Sequence, residues 1–369
     1  MKIFASEENL LIPLGGGELS FETLISGLSK NNEIFTVGKH VKNPHTVPFP
    51  SSSVRLFETN THMFNKYFVF KQLEGSLSRK IKNFSPDLVI TQQDFAAPTI
   101  KTAYEKKIPS IVFMRNYEHI CLCANPDSNC SRRCSVCYGY SFLNPYRYFV
   151  DAVFRYEKKW ISRASLIISN SQYMASVVKD WLGVESQVIY PFVREISVRA
   201  QHPEYITLIS AAKHKGIGTF LEIAKILPDK KFLVVGHNPE SIDFSVFPNI
   251  TYMPWAADPE TFYSKTKILL VPSLWPEPFG RVCVEAAFCG IPSIASKIGG
   301  LPEAVGEGGI LIDNFKDPEQ WVKAINLLEN DEAYREYSEK ARIHSRRFTV
   351  ENTLGQFKSL LRNTLALKI

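Results

Sequence analysis

PSLWPEPFGRVCVEAAFCGIPSIASKIGGLPEAV, from Pro272 to Val305, decides how this chain is read. An apolar run ends at Ser273, a Pro-rich loop follows, and a helical pattern opens near Gly280. That puts Gly280 and Arg281 at a helix N-terminus, whose free amides can hold a phosphate. Glu277 lies in the loop just before, and Glu285 falls about a turn and a half into the helix. Two carboxylates so placed flank an anion site, and each can accept hydrogen bonds from sugar hydroxyls. A second loop, Ile298-Gly299-Gly300-Leu301-Pro302-Glu303, repeats the theme at another helix start. Its glycines allow close backbone approach, and its proline sits where helices begin. Either glutamate alone suits a solvated surface. The E-x7-E spacing followed by Gly-Gly-x-x-Glu does not.

Outward from this segment, short strand-like runs alternate with helical periods nearly throughout, the signature of parallel α/β sheets. Strands are expected at Lys2–Ser6, Glu33–Val37, Asp87–Thr91, Ser110–Met114, Ser165–Ser169 and Gln187–Tyr190. In the second half they are expected at Ile206–Ser210, Lys231–Val235, Asn249–Met253, Ile268–Pro272, Ser293–Ser296 and Gly309–Ile312. The pattern pauses in PFVREISVRAQHP, Pro191 to Pro203, which reads as a hinge. The expected division is 1–192, 193–348, and a C-terminal helix over 349–369 that packs back on the first domain. A length of 369 residues agrees with two domains at roughly 100–200 residues each. Two such sheets facing each other make a cleft, and ligands bind outside the carboxyl ends of the strands.

A content of 45% hydrophobic and 22% charged residues excludes a disordered tail, a collagen-like fibre and a small disulfide scaffold. No apolar run approaches the roughly 18 residues a membrane-spanning helix needs. MKIFASEENLL at the start lacks an apolar signal core, so a cytoplasmic protein is expected. The net charge of +6 is uneven: residues 1–195 carry 23 Lys and Arg against 17 Asp and Glu, and the remainder carries 20 of each. A basic half beside a neutral half points to an anionic partner or to compositional drift. Of seven cysteines, five crowd between Cys121 and Cys137. Cys283 and Cys289 lie in an apolar helical pattern and read as core thiols.

The E-x7-E segment and its surroundings resemble the retaining GT-B glycosyltransferases of family 4, and the likeness spans nearly the whole chain. The resemblance implies two Rossmann-like parallel-sheet domains facing across a cleft. It also implies a nucleotide-diphosphate sugar, UDP- or GDP-linked, as donor substrate, with no required cofactor. On this resemblance Glu277 contacts donor-sugar hydroxyls and Glu285 binds the ribose. Phe279, Gly280 and Arg281 line the sugar and diphosphate side of the pocket, with Gly300 in the second glycine loop. Gly16 and Gly17, in Gly15-Gly16-Gly17-Glu18, resemble the family's glycine loop near the donor diphosphate. Lys215-Gly216 matches its Lys-Gly before a helix, so Lys215 is expected to neutralise the leaving diphosphate. Where the family often carries a nearby Arg, this chain has Ala211 and Ala212, with Lys213 or Arg281 as the substitute charge. After IPSIVFM the family carries His-Asp. Here Arg115-Asn116-Tyr117 stands instead. Arg115 is expected at a phosphate or the acceptor, and register puts His119 on a different side from residue 115.

The cysteine run reads C-x-C-x6-C-x3-C-x2-C, and four thiolates would close a structural zinc site. Cys123, Cys130, Cys134 and Cys137 are the candidates, with free loop thiols as the alternative. The aromatic and basic stretch that follows, from Tyr138 to Arg155, reads either as a membrane- or acceptor-facing helix or as one packed into the core.

The functional expectation is transfer of a sugar, with retention, to a glycan or lipid-linked acceptor in bacterial cell-surface polysaccharide or glycoconjugate synthesis. The donor falls to the second half, so the basic first half is expected to meet the acceptor, with peripheral contact to an anionic membrane and no role for nucleic acid. The chain contains no Asp-x-Asp, so no metal requirement is expected. The alternatives are a catalytically degenerate scaffold that binds nucleotide or glycan, and an epimerase or sugar-phosphate synthase on the same fold.

Overall fold

LVITQ (Leu88–Gln92) and SIVFM (Ser110–Met114) are buried at every position, as strands covered by helices on both faces must be. The computed structural model describes residues 1–12, 15–42, 44–56, 62–120, 146–198, 203–254 and 258–367. It divides into two units: Met1–Phe192 together with the stretch from Thr353 onward, and Val193–Asn352. The chain has two parallel-sheet Rossmann-like domains.

The sheet of the first unit has seven parallel strands: β1 (Lys2–Ser6), β2 (Glu33–Lys39), β3 (Ser51–Val54), β4 (Leu88–Gln92), β5 (Ser110–Met114), β6 (Leu166–Ser169) and β7 (Gln187–Val188). Their order is β3-β2-β1-β4-β5-β6-β7. Around it lie α1 (Gly16–Ser29), α2 (His62–Phe84), α3 (Ala96–Glu105), α4 (Tyr146–Ile161) and α5 (Gln172–Leu182). Phe21, Leu24, Ile25 and Leu28 of α1 bury against Ile3, Ile34, Leu88 and Ile90 of the sheet. In α4, Val150 and Val153 are buried and Tyr156 stacks on Phe70 at 5.1 Å, so the described inner face of this aromatic helix packs into the core. Strand β3 was not expected. Its sequence, SSSV, has no apolar alternation and joins the sheet edge by pairing Thr36 with Ser51 along β2.

The second unit has six parallel strands: β8 (Tyr205–Ile209), β9 (Lys231–Val235), β10 (Ile250–Met253), β11 (Thr266–Val271), β12 (Ser293–Ser296) and β13 (Gly309–Ile312), in the order β10-β9-β8-β11-β12-β13. Its helices are α6 (Ile217–Ile226), α7 (Glu260–Tyr263), α8 (Arg281–Phe288), α9 (Leu301–Val305), α10 (Pro318–Leu327) and α11 (Asp331–Ser345). Cys283 and Cys289 are buried there, and burial pushes their thiols up to about 12 and about 11. A last helix, α12 (Val350–Leu365), sends Phe357 and Leu361 into the core of the first unit. The Phe357 ring lies 5.8 Å from Phe113 and 6.3 Å from Phe192. Among the described residues no helix is long and apolar enough to cross a membrane.

Candidate functional site

In each sheet the strand order reverses once, between β1 and β4 and between β8 and β11, and ligands of such sheets bind at the carboxyl ends beside that reversal. In the second unit three loops meet at that place. After β8, Lys213–Lys215 form a short 3-10 turn ending at Gly216, whose φ is +83°. A Cβ on Gly216 would lie 1.8 Å from the Pro272 carbonyl oxygen, so only glycine lets this loop reach the end of β11. The Leu274 amide donates to the His214 carbonyl at 2.9 Å and closes the contact.

Glu277 is 7% exposed, and a single oxygen, Oε1, gathers three donors. Lys215 Nζ lies at 2.6 Å, Ser273 Oγ at 2.8 Å and Trp275 Nε1 at 3.1 Å. The Lys215 ammonium also sits 5.2 Å from the Trp275 ring centre. His214 meets the same indole edge-on at 5.5 Å; burial and then the Lys215 charge hold its pKa below the ordinary value.

The second glycine loop supports this arrangement from behind. The Gly300 amide donates to the Glu277 carbonyl at 2.7 Å. A Cβ on Gly299 or Gly300 would lie 2.3 Å from the Glu277 carbonyl oxygen or 2.5 Å from that of Pro278. Helix α8 begins after Gly280, at φ +113°, and carries Arg281 and Glu285 one turn apart. Arg281 Nε donates to Glu285 Oε1 at 2.7 Å, and the Tyr263 hydroxyl donates to Oε2 at 3.1 Å. Burial and the neighbouring Glu285 charge raise the Tyr263 hydroxyl well above its ordinary range.

The second unit therefore brings together Lys215, Glu277, Gly280, Arg281, Glu285 and Gly300. Phe279 faces the other way, 3% exposed, with its ring edge on Phe348 at 5.5 Å. Lys213 is exposed, and its backbone amide donates to Glu240 at 3.2 Å. An ammonium beside a helix start is a phosphate-binding arrangement, and paired carboxylates next to it can take hydroxyls.

In the first unit the ends of β1, β4 and β5 surround a cavity of about 210 Å³ lined by Gly16, Gly17, Glu18, Gln92, Gln93, Phe113, Arg115, Asn116 and His119. Arg115 is buried, its guanidinium 4.7 Å from the Phe113 ring centre and 5.9 Å from that of Phe192. Gln93 holds Glu18 at 2.7 Å from a backbone at φ +54°, an uncommon conformation for a residue with a side chain. His119 corrects the register expectation: it lines the same cavity as residue 115 because the chain turns at 117–120, where the Ile120 amide donates to the Tyr117 carbonyl.

Behind His119, its Nδ1 lies 2.7 Å from Glu157 Oε1, and Lys66 Nζ lies 3.0 Å from that oxygen and 2.9 Å from Asp94 Oδ1. Burial opposes the Lys66 charge, but Asp94 and Glu157 outweigh it and its pKa is raised. Asp94, His119 and Glu157 bring ligand atoms within 4.8 Å of one another, yet the Lys66 ammonium already supplies the cation there. The zinc candidates Cys123, Cys130, Cys134 and Cys137 lie outside the described residues.

Ser273, Trp275, Tyr263, Lys66 and Glu157 were not singled out from sequence. A signal for Glu157 was available, since it falls at helical spacing from Val150 and Val153 and so puts a carboxylate on the apolar stripe of α4.

Residues 14–195 match the family model described as Glycosyltransferase Family 4, and residues 192–344 match Glycosyl transferases group 1. The chain belongs to the family 4, group 1 glycosyltransferases. A D-inositol 3-phosphate glycosyltransferase of Segniliparus rotundus is 33% identical over 168 residues, covering 40% of this chain and 36% of the relative. The first curated relatives are matched over only 23% to 63% of their own length. Among solved structures, Anabaena HepE in complex with UDP superposes with a TM-score of 0.73 at 18% identity, covering 98% of this chain and 100% of that one. The lipopolysaccharide outer core galactosyltransferase WaaB superposes with a TM-score of 0.67 at 15% identity, covering 99% of both. At such identities the likeness shows the fold, which is GT-B.

Proposed function

We propose that this glycosyltransferase moves a sugar from a nucleotide-diphosphate sugar to a glycan or lipid-linked acceptor, with retention, in bacterial cell-surface polysaccharide or glycoconjugate synthesis. The observation that carries the reading is the convergence of Lys215, Ser273 and Trp275 on Glu277 beside the start of α8. As the donor bond breaks, negative charge grows on the departing diphosphate. Lys215 and the amides opening α6 and α8 stabilise it, and preorganised charges of this kind supply the largest share of such rate enhancements. With Oε1 of Glu277 engaged by three donors, Oε2 serves a sugar hydroxyl. Glu285, fixed by Arg281 and Tyr263, accepts from the ribose. The diphosphate of the donor then takes the acceptor proton on the same face of the sugar.

The first unit takes the acceptor, with Arg115 beside its anionic part. Its excess of basic residues suits an anionic glycan or a lipid carrier at the inner face of the membrane. The UDP and UDP-glucose complexes of HepE support a nucleotide-sugar donor, and the name of WaaB supports a surface-polymer setting.

A thermal-shift screen with UDP, GDP, ADP and their sugars tests the donor half. A ligand at 100 times its Kd adds about 2.7 kcal/mol of apparent stability, and Glu285→Ala is expected to abolish that gain. An unchanged shift in the variant refutes the assignment of Glu285. Binding without hydrolysis or transfer across a substrate panel would point instead to a scaffold, the reading that Arg115-Asn116 raises.

A further inference from the structure

The chemistry proposed above leaves the buried charged cluster of the first unit without a task. His119 is 2% exposed and Glu157 is wholly buried. Lys66, 6% exposed, ties Glu157 to Asp94 and donates a further bond to the Glu118 carbonyl at 3.2 Å. With Nδ1 of His119 donating to Glu157 Oε1 at 2.7 Å, the tautomer that carries its proton there has a lone pair on Nε2.

Nε2 of His119 is buried and makes no hydrogen bond among the described residues, and the same holds for Oε1 of Gln93. Burying such an atom unsatisfied is destabilising, so a histidine fixed by two further charges is an expensive way to fill apolar space. Both residues line the 210 Å³ cavity at the ends of β1, β4 and β5, which is the ligand end of the sheet. Two residues that line one small cavity thus each carry a buried acceptor without a donor among the described residues, and sugars and polyols present hydroxyl donors at close spacing.

We propose that His119 is a substrate-binding residue whose Nε2 accepts a hydrogen bond from one hydroxyl of the sugar or polyol held in this cavity, with Glu157 and Lys66 positioning the ring and fixing its tautomer. The proposal rests on the glycosyltransferase reading and adds which hydroxyl contact the first unit makes. The hydroxyl can belong to the transferred sugar or to the acceptor, and kinetics separate the two sources.

The test uses UDP-glucose or GDP-mannose, whichever the native chain turns over, with singly deoxygenated analogues of that donor sugar, and methyl glucoside with its deoxy analogues as acceptor. The native protein should lose roughly ten- to hundred-fold in kcat/KM for one deoxy position, because a site built to bind a hydroxyl rejects the analogue lacking it. His119→Ala should lose a similar factor with the parent sugar and then treat parent and deoxy analogue alike. His119→Phe, which refills the volume without an acceptor atom, should behave the same, whereas His119→Gln should recover part of the discrimination. A sensitive position on the donor makes the transferred sugar the partner; one on the methyl glucoside makes it the acceptor. Retained discrimination in folded His119→Ala or His119→Phe overturns the proposal. A native chain that neither melts higher with a nucleotide sugar nor turns one over removes the reading beneath it, and that outcome is visible before any variant is made.

Discussion

Replacing Glu277 separates its structural from its chemical role. In Glu277→Ala, the Lys215 ammonium loses its 2.6 Å partner, and Ser273 Oγ and Trp275 Nε1 lose their acceptor. Breaking one side of a fully buried ion pair costs about 3–5 kcal/mol. Lys215 keeps 29% of its side chain exposed, so water recovers part of that loss. A net destabilisation of about 2–3 kcal/mol is expected, which for a unit of this size lowers its melting temperature by roughly 5–10 °C. Glu277→Gln keeps the volume and an acceptor oxygen but not the charge. It should cost only about 1–2 kcal/mol, in the range of a charge-assisted hydrogen bond weakened to a neutral one. For transfer the order differs. If Glu277 holds a donor hydroxyl and orients Lys215, both variants should lose about a hundred- to a thousand-fold in kcat, the range seen when one preorganised stabilising group is removed. Differential scanning calorimetry beside a donor-hydrolysis assay reads both quantities. A variant destabilised as predicted but retaining native turnover would refute the chemical role and leave Glu277 a structural bracket for the loop.

Gly216→Ala should destabilise the second unit by at least about 2 kcal/mol, because a left-handed backbone is strained with a side chain and the new Cβ meets the Pro272 carbonyl. Denaturant unfolding checks it, and a native-like midpoint would show that the loop can shift. Glu118 carries a carboxyl that burial, with help from Asp94, raises from 4.5 to about 8. The folded state therefore binds a proton that the unfolded state releases, and stability falls as pH rises from about 4.5 to about 8. Glu118→Gln should flatten that fall; an unchanged pH slope would dismiss the group as its source. Transfer should survive EDTA, since the charge at the diphosphate is expected from Lys215 and helix amides, and strict dependence on Mn²⁺ would contradict that account.

Local patterning suffices for the alternating strands and helices, because parallel strands covered on both faces are continuous apolar runs bounded by Gly, Pro and polar turns. Strand β3 escapes that logic. SSSV has neither apolar alternation nor strong propensity, and only the free edge of β2 makes it a strand. The Pro272–Val305 segment likewise contains its own chemistry within one loop and one helix. Glu277, Gly280, Arg281 and Glu285 are separated by fixed helical and turn geometry, so their spacing alone brings them together.

Long-range contacts decided the rest. Lys215 reaches Glu277 across 62 residues because β8 and β11 are sheet neighbours, a pairing that no local period encodes. The two glycines at 299 and 300 are read from sequence as allowing close backbone approach, but only the fold shows that the backbone they admit is that of 276–279. His119 shows the difference most plainly. Strand register puts it off the side of Arg115, but the turn after β5 returns it to the same cavity. Its orientation then depends on Glu157, 38 residues later, and on Lys66, which lies on a different helix. Sequence determined which residues carry charge and where the strands end; tertiary structure decided which charges meet, because burial and sheet order act between segments that have no fixed separation along the chain.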